Sequence, residues 1–499
     1  MLNLGAQGFW FEESEDSDTA FGPGAVTIGG NISGELLIFP DDLKDGRAKD
    51  ADWGNVASAA LNFGASSSNA EAVLNFKLSP RTLQSLSQTS SDLFQTPMLI
   101  DELYVRAFLG KVILETGFRK LAWGRADIQG PLDVTNPLDY TDLTNVGDTM
   151  GRKIARPMIH ASWSLGSFSK LEGVFVPSFQ GHRYALDPQD RWYPTVITDS
   201  RKEDMVDGIM TGLIDRLPPP LNSPPVSSAL VQQMGPNIPN INIVIPNTQG
   251  LEYAQGGLRF TTTIGPADFG VQYYSGHLFR PSFTVSGVNG LFEDVSNNSD
   301  GLLYIAGTNP PLLGPTIENI VRSAGLAPLV KYNRYHQIGV DYTQVLFDFS
   351  VRAELAANIT ADLAGDDGSV YNPSLAWSFG FDRDVFGFTL FLEADESIRL
   401  FNDKVGTNAA TDTEAGSSLT ATGITAQISR AFFQDKLEIK FSLLWNVETS
   451  DVYLMPSISY TMGDLEAVLA GGIFTGKDGG ELSQYRNNGY IKTALTYSF

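Results

Sequence analysis

Strict alternation of apolar and polar side chains is the clearest pattern in this chain. In residues 347–355 every odd position is apolar and every even position is polar. Residues 437–448 repeat the pattern over a length that crosses a bilayer at a tilt. Alternation with a period of two predicts β-strands that have one face in apolar surroundings and the other in water.

Segments of this kind recur along the whole chain, and we predict about 18 strands. They are expected near residues 25–39, 54–66, 69–79, 99–109, 112–121, 155–165, 168–177, 251–264, 268–277, 332–345, 347–357, 373–381, 386–396, 418–430, 437–448, 452–462, 465–475 and 488–499. The predicted class is therefore all-β.

Short and long connections between these strands alternate. Short turns are predicted at 166–167, 265–267, 382–385, 434–436 and 463–464, and the long loops include 122–154, 178–250, 278–331, 358–372 and 397–417. Bacterial barrels have short periplasmic turns and long extracellular loops. The pattern thus favours a transmembrane antiparallel β-barrel over the half-buried sheet of a soluble sandwich. We expect a single barrel over residues 25–499, a periplasmic N-terminal segment over residues 1–24, and both termini in the periplasm.

Two loop segments have apolar residues at helical spacing. One contains Met205, Ile209 and Leu213, and the other contains Ile317 and Ile320. We expect short helices that either pack on one another and close the mouth of the barrel or, with the apolar run 240–246, line an entry for hydrophobic solutes.

Composition agrees with a barrel and excludes several other classes. No run of 18 apolar residues occurs, and the mean hydropathy is −0.07, as expected where lipid-facing and lumen-facing side chains alternate. The chain has no cysteine, which excludes disulfides and thiolate chemistry, and its net charge of −23 argues against nucleic-acid binding. The first residues lack a basic region and a long apolar core, so we expect that a signal peptide has been removed.

Signatures of an enzyme are weak. Residues 471–478 approach a phosphate-binding loop but lack its final Ser or Thr, and they follow a strand without opening a helix. The four histidines have no spacing that suggests a shared metal. We therefore expect no catalytic residue, no cofactor, no metal and no enzymatic activity.

The chain ends in Phe499, with Tyr497, Leu495 and Ile491 on the same face of the last predicted strand. This ending resembles the terminal strand of Gram-negative outer-membrane proteins. The resemblance implies an integral outer-membrane protein of a Gram-negative bacterium, with Phe499 and Tyr497 as its assembly signal. The implied partners are the barrel-assembly machinery, membrane lipid and lipopolysaccharide.

A second stretch, from Glu102 to Asp142, contains Trp123-Gly124-Arg125 followed by Asp133-Val134-Thr135-Asn136-Pro137-Leu138-Asp139. It resembles a group of outer-membrane channel-like proteins that have a hairpin, then Trp-Gly, then Asp-x-x-Asn-Pro-x-Asp. This resemblance implies a channel but no particular substrate.

Residues 122–154 form the third predicted outer loop, here called the third loop. The arrangement resembles that of porins, in which the third loop folds into the barrel and sets the constriction. Its charged residues that we expect at the constriction are Arg125, Asp127, Asp133 and Asp139. The alternative is a solvated cap outside the barrel.

The predicted strands place further charges in the lumen, because a charge facing lipid is costly. The expected pore-lining residues are Arg106, Arg119, Arg156, Arg259, Arg352 and Glu354, with Glu393, Asp395, Glu438 and Glu466 as further acids. We expect Asp127, Asp133 and Asp139 to face Arg106, Arg119 and Arg259. Across the lumen, the charges produce either a transverse field or an internal salt-bridge network that braces the wall.

These features favour a porin-like channel for passive or facilitated passage of small solutes. Two alternatives are a transporter of hydrophobic compounds gated by the loop helices and a surface adhesin or structural barrel. An outer-membrane hydrolase is the remaining alternative.

Overall fold

The structure is a computed structural model that describes residues 24–44, 54–80, 82–83, 99–128, 130–223 and 246–499. For residues 43, 44, 54 and 55 it describes the backbone alone. Of the predicted N-terminal segment 1–24, all but Gly24 lies outside the described residues, and so does the apolar run up to residue 245.

Eighteen strands form one antiparallel sheet. They are β1 Val26–Ile38, β2 Gly54–Ser66, β3 Ala70–Leu78, β4 Ile100–Leu109, β5 Val112–Arg119, β6 Arg156–Ser164, β7 Ser169–Val176, β8 Gln255–Ile264, β9 Ala267–His277, β10 Arg334–Leu346, β11 Phe349–Thr360, β12 Ser374–Val385, β13 Phe388–Arg399, β14 Thr420–Phe432, β15 Leu437–Asn446, β16 Asp451–Met462, β17 Leu465–Thr475 and β18 Tyr490–Ser498.

Each strand pairs with the next along the chain, and β18 pairs with β1 from Asn31 and Ser498 to Ile38 and Ile491. The Phe499 backbone extends this seam, since its N–H donates to Gly30 O at 2.9 Å and its carbonyl accepts from Gly30 N at 3.0 Å. The sheet therefore closes into a barrel without a free edge. The predicted all-β barrel of 18 strands is confirmed.

Side chains alternate between the two surfaces of this wall. On β10, Ile338 and Val340 are 53% and 45% exposed, whereas Gln337 and Asp341 on the other face are 1% and 3% exposed. The exposed side chains are apolar and point outward, and the buried polar ones point into the barrel. The outer surface is thus suited to lipid, and we treat the strands as membrane-spanning segments.

Phe441, near the middle of β15, belongs to the outward apolar surface. We expect Phe441→Arg to lower the free energy of unfolding by about 2 to 4 kcal/mol, because an arginine near the bilayer midplane loses its hydration. The measurement is urea-dependent unfolding in lipid vesicles. Ser459→Arg is the control, since Ser459 lies on the lumen face of β16 next to Glu438. Equal stability of both variants and the parent would contradict a lipid-facing Phe441.

One predicted turn was misplaced. Residues 382–385 were expected to be a turn, but β12 continues to Val385, which pairs with Phe388. The turn consists of Phe386 and Gly387, both in the left-handed region at φ 53° and 77°. The charged residues that suggested a turn in the sequence belong to the strand instead, where Asp382 accepts a hydrogen bond from Arg352 at 2.6 Å.

The outer loops carry six α-helices in the described part of the chain. They are α1 Pro40–Lys44, α2 Thr149–Arg152, α3 Arg201–Arg216, α4 Val288–Asn297, α5 Ser299–Thr308 and α6 Leu313–Ser323. The two predicted amphipathic segments are α3 and α6. The sequence analysis did not predict α1, α2, α4 or α5, and the apolar part of α5 has no polar face that would reveal helical spacing. No described helix has the length and apolar character needed to span a membrane.

The helices α3, α4, α5 and α6 share one apolar core. Met205, Ile209 and Leu213 of α3 are buried in a cluster with Leu291 of α4 and Ile317 of α6. Ala409 and Ala410 of the loop before β14 belong to the same cluster. The long outer loops therefore pack on one another, which was one of the two predicted arrangements.

Candidate functional site

The connection between β5 and β6, residues 120–155, contains the third loop and crosses the barrel. It begins on β5 and makes hydrogen bonds with Glu354 of β11 and Glu393 of β13. In a ring of 18 strands, β13 lies nearly opposite β5. Glu354 and Glu393 are each the sixth of twelve strand residues, so these contacts are made halfway down the wall. The third loop is therefore inside the barrel.

Glu354 is the main anchor of the third loop. Its Oε1 accepts the backbone N–H groups of Arg125 and of Ala126, the latter at 2.7 Å, and its Oε2 accepts the N–H of Leu132 at 3.2 Å. Gly124 and Gly130 lie against the same carboxylate, where a side chain at either position would collide with it. Glu354 thus binds both sides of the turn at the tip of the loop.

A second anchor involves Asp127. Its N–H donates to Glu393 Oε2 at 2.9 Å, and its carboxylate lies 2.8 Å from the Arg352 guanidinium. Arg352 also binds Asp382 at 2.6 Å. The tip of the loop is therefore bound to β11 and β13, and Arg352 links this contact to β12.

The carbonyl groups of the tip are bound by amides of the wall. Gln337 Nε2 donates to Pro131 O at 2.8 Å, and Gln272 Nε2 donates to Leu132 O at 2.9 Å. Beside them, Asp341 forms ion pairs with Arg259 at 2.8 Å and with Arg125 at 3.3 Å. Donors and acceptors of the loop backbone thus find partners on the wall, as a buried backbone requires.

Two glycines of the wall make room for apolar side chains of the loop. A Cβ at Gly257 on β8 would lie 2.9 Å from the ring of Trp123, and a Cβ at Gly339 on β10 would collide with the Leu132 side chain. Both Trp123 and Leu132 are buried. The inner surface of the wall is therefore shaped to receive the loop.

Asn136 closes the base of the third loop. Its Oδ1 accepts the N–H of Leu121 at 2.8 Å, and its Nδ2 donates to Arg119 O at 3.0 Å and to Ile154 O at 2.9 Å. The side chain of Asn136 is 3% exposed. It therefore joins the two ends of the connection where they leave β5 and enter β6.

The other polar residues of the Asp-x-x-Asn-Pro-x-Asp motif bind around this base. Asp133 lies 2.7 Å from Lys153, and Asp139 lies 2.8 Å from Arg183 of the next outer loop. Arg156 is fully buried and donates to Thr135 O at 3.0 Å and Ser178 O at 2.6 Å. The motif therefore serves to fold the third loop and to join it to the fourth.

The second half of the third loop returns across the barrel at the level of the extracellular strand ends. Leu143 O accepts the hydroxyl of Tyr453 on β16 at 2.8 Å, and Thr144 O accepts that of Tyr490 on β18 at 3.0 Å. Lys492 donates to Asn145 Oδ1 at 2.7 Å. The loop is thus fixed to two distant regions of the wall.

The fourth outer loop, which connects β7 and β8, also contacts the third loop through His182. Nδ1 of His182 accepts the N–H of Leu138 at 2.9 Å. Burial, reinforced by the charges of Arg152 and Arg280, lowers the pKa of His182 to about 3. The ring therefore stays neutral near pH 7 and keeps the acceptor that this contact needs.

No protein-family model and no curated protein matches this chain. Among solved structures, it is similar to Acinetobacter baumannii OccAB4, with a TM-score of 0.44, 8% identity and coverage of 95% of this chain and 98% of that one. It is also similar to a BenF-like porin from Pseudomonas fluorescens Pf-5, with a TM-score of 0.42, 9% identity and coverage of 95% of this chain and 98% of that one. For Pseudomonas aeruginosa OccK2 (OpdF) in complex with glucuronate, the TM-score is 0.44, the identity is 7%, and 95% of each chain is covered. These values describe a distant likeness in fold and do not indicate a solute for this chain.

The predicted pairing of the loop aspartates with Arg106, Arg119 and Arg259 is wrong. Asp127, Asp133 and Asp139 bind Arg352, Lys153 and Arg183. The three wall arginines have nearer partners, because Arg106 and Arg119 bind Glu115 on their own hairpin and Arg259 binds Asp341 two strands away. These three arginines therefore pair with carboxylates of neighbouring wall strands rather than with carboxylates of the third loop.

Ion pairs of the early strands form a connected group. Glu115 of β5 lies 2.7 Å from Arg106, 2.9 Å from Arg119 and 2.7 Å from His160 Nδ1. Glu71 adds a second carboxylate to Arg106 at 3.4 Å. These contacts correspond to the salt-bridge network that the sequence analysis kept beside the transverse field.

Several residues that hold the third loop were not singled out from the sequence. They are Gln272, Gln337, Asp341, Gly257, Gly339, Tyr453, Tyr490 and Lys492. Most of them are polar residues at lumen positions of alternating strands, which is a signal that the sequence contains. Gly257 and Gly339 have no such signal, because a glycine in a strand does not show what lies opposite it.

Proposed function

We propose that the chain is an outer-membrane channel for passive or facilitated passage of small solutes, constricted by the inward-folded third loop. The observation that carries this proposal is the binding of the loop tip by Glu354 and Glu393 halfway down the wall. A wall of 18 strands encloses an aqueous lumen, and a loop fixed across it narrows the lumen at a defined depth.

The remaining features follow from this assignment. The outward apolar surface suits membrane lipid, with lipopolysaccharide at the outer face and the barrel-assembly machinery as assembly partner. Both termini then lie in the periplasm. We assign the constriction and lining to Arg106, Arg119, Arg125, Asp127, Arg259, Arg352 and Glu354, and the support of the third loop to Asp133, Asp139 and Arg156, with no catalytic role. Tyr497 and Phe499 form the assembly signal.

The loop helices count against entry of hydrophobic compounds through the mouth. The apolar side chains of α3 and α6 are buried against α4 rather than facing a passage. A solute that approaches from outside therefore meets the polar faces of these helices. This packing favours a polar solute over an apolar one.

The test is single-channel recording of the purified, refolded full chain in planar lipid bilayers in 1 M KCl. We expect discrete steps of uniform size, smaller than those of an open barrel with 18 strands, because the third loop occupies part of the cross-section. Heat-unfolded protein in the same detergent is the control. Absence of steps from correctly folded barrels would contradict the channel and favour an adhesin or structural barrel.

A further inference from the structure

The described polar contacts of the third loop lie on either side of β14 and β15. Glu393 of β13 accepts the N–H of Asp127, and Tyr453 of β16 donates to Leu143 O. At the extracellular end of β15, Leu444 packs against the apolar cluster that contains Leu143.

Glu393 and Asp395 lie on the same inner face of β13, but their carboxylates lean in opposite directions. Glu393 lies over Gly380 of β12 and accepts the N–H of Asp127, so it faces the loop. Asp395 lies over Gly423 of β14, where a Cβ would be 2.5 Å from its Oδ1. Asp395 therefore faces β14 rather than the anchor of the loop tip.

The arginines around the loop tip are paired with carboxylates. Arg352 has Asp127 and Asp382, and Asp341 has Arg259 and Arg125. An arginine that is already bound to one or two carboxylates contributes little net potential nearby. The two further carboxylates of this region, Glu354 and Glu393, accept backbone N–H groups of the loop.

Asp395 differs from these residues. In the part of the chain that the structure describes, it has no hydrogen bond and no ion pair, and the charged groups that act on it are other acids, Glu448 and Glu393. Nearer the periplasmic end of the same side, Lys440 interacts with the carboxylates of Glu438 and Glu466. Among the described residues, carboxylates therefore outnumber lysines on this side of the lumen.

We propose that solutes pass between the third loop and the wall along β14 and β15, and that Asp395 is a selectivity-determining residue of this passage, which favours small cations and cationic solutes over anions. A fixed negative charge in a narrow, poorly screened passage raises the local concentration of cations. This inference rests on the proposed channel function and adds the charge of the solute class to it.

The experiment measures the reversal potential of single channels in planar bilayers under a tenfold KCl gradient, from which the ratio of K⁺ to Cl⁻ permeability follows. We expect a ratio above 1 for the parent chain and a roughly two- to fivefold lower ratio for Asp395→Asn. Asp395→Glu keeps the charge and is expected to keep the ratio. Raising the salt on both sides should weaken the preference, because the Debye length falls to about 3 Å at 1 M.

Glu396→Gln is the matched control. Glu396 is the next residue on β13, but it points outward and accepts a hydrogen bond from Trp377 Nε1 at 2.8 Å. This variant removes the same charge without altering the lumen, so its permeability ratio should equal that of the parent.

The outcomes separate this inference from the channel itself. Channels that prefer anions or neither ion, or a ratio that Asp395→Asn leaves unchanged, would overturn the inference and leave the proposed channel intact. If the folded parent chain gives no current steps, the channel function is overturned and the inference with it. If Asp395→Asn does not fold, the preference of the parent and its retention in Asp395→Glu decide the matter.

Discussion

Glu354→Ala is expected to raise the single-channel conductance roughly twofold, because the tip of the third loop loses its main anchor and leaves the centre of the lumen. The carboxylate accepts three backbone N–H groups, from Arg125, Ala126 and Leu132. A hydrogen bond to a charged group contributes about 1.5 to 3 kcal/mol, so the loss is large relative to the other contacts of the tip. Current steps in planar bilayers in 1 M KCl measure the effect.

Glu396→Gln is the control for this variant, because it removes an outward carboxylate of β13 that accepts a hydrogen bond from Trp377. Its conductance should match that of the parent. Glu354→Gln should fall between the two, since the amide oxygen can still accept but carries no charge. Steps of unchanged size from Glu354→Ala would show that the tip does not restrict the passage.

Asn136→Asp is the second large effect that we expect. The amide nitrogen of Asn136 donates to the carbonyls of Arg119 and Ile154 in a buried site. Aspartate has no donor, so it leaves both carbonyls without this partner and buries a charge. Each unsatisfied buried group costs about 1 to 3 kcal/mol, and the buried charge adds to this. The base of the loop should open, which is measured as a higher rate of proteolysis within the loop and as increased noise in the open-channel current.

Asn145→Asp provides the comparison within the same loop. The Oδ1 of Asn145 accepts a hydrogen bond from Lys492, and aspartate keeps this acceptor. Proteolysis and current noise should then remain as in the parent chain. Equal behaviour of Asn136→Asp and Asn145→Asp would show that Asn136 does not close the loop.

The barrel could be predicted from the sequence because lipid and lumen impose a period of two on every strand. On β10, Ile338 and Val340 alternate with Gln337 and Asp341, and this alternation is visible in the sequence and in the structure. The turn between β12 and β13 was misplaced because its bulky Phe386 adopts a left-handed conformation that side chains of this size rarely occupy. Charge in residues 382–384 was the misleading signal.

The candidate site was predicted in its location but not in its contacts. Placement of the third loop inside the barrel followed from a resemblance, and the charged residues of its tip were identified. Its partners depend on the path of the backbone, which is decided by Glu354 and by the spaces above Gly257 and Gly339. These residues are separated from the loop by more than a hundred positions, and no local pattern connects them.

The anchors of the third loop also bear on how the barrel matures. Glu354 comes 229 residues after Arg125, and Glu393 comes 266 residues after Asp127, whose backbone amides they bind. The third loop therefore lacks both anchors while only the early strands are paired. Closing a segment of that length costs conformational entropy that is recovered only when β11 and β13 are in place. Residues 123–128 and 130–132 are therefore open to proteases during biogenesis and sheltered in the finished protein. Resistance of these residues to cleavage reports that β11 and β13 have joined the sheet.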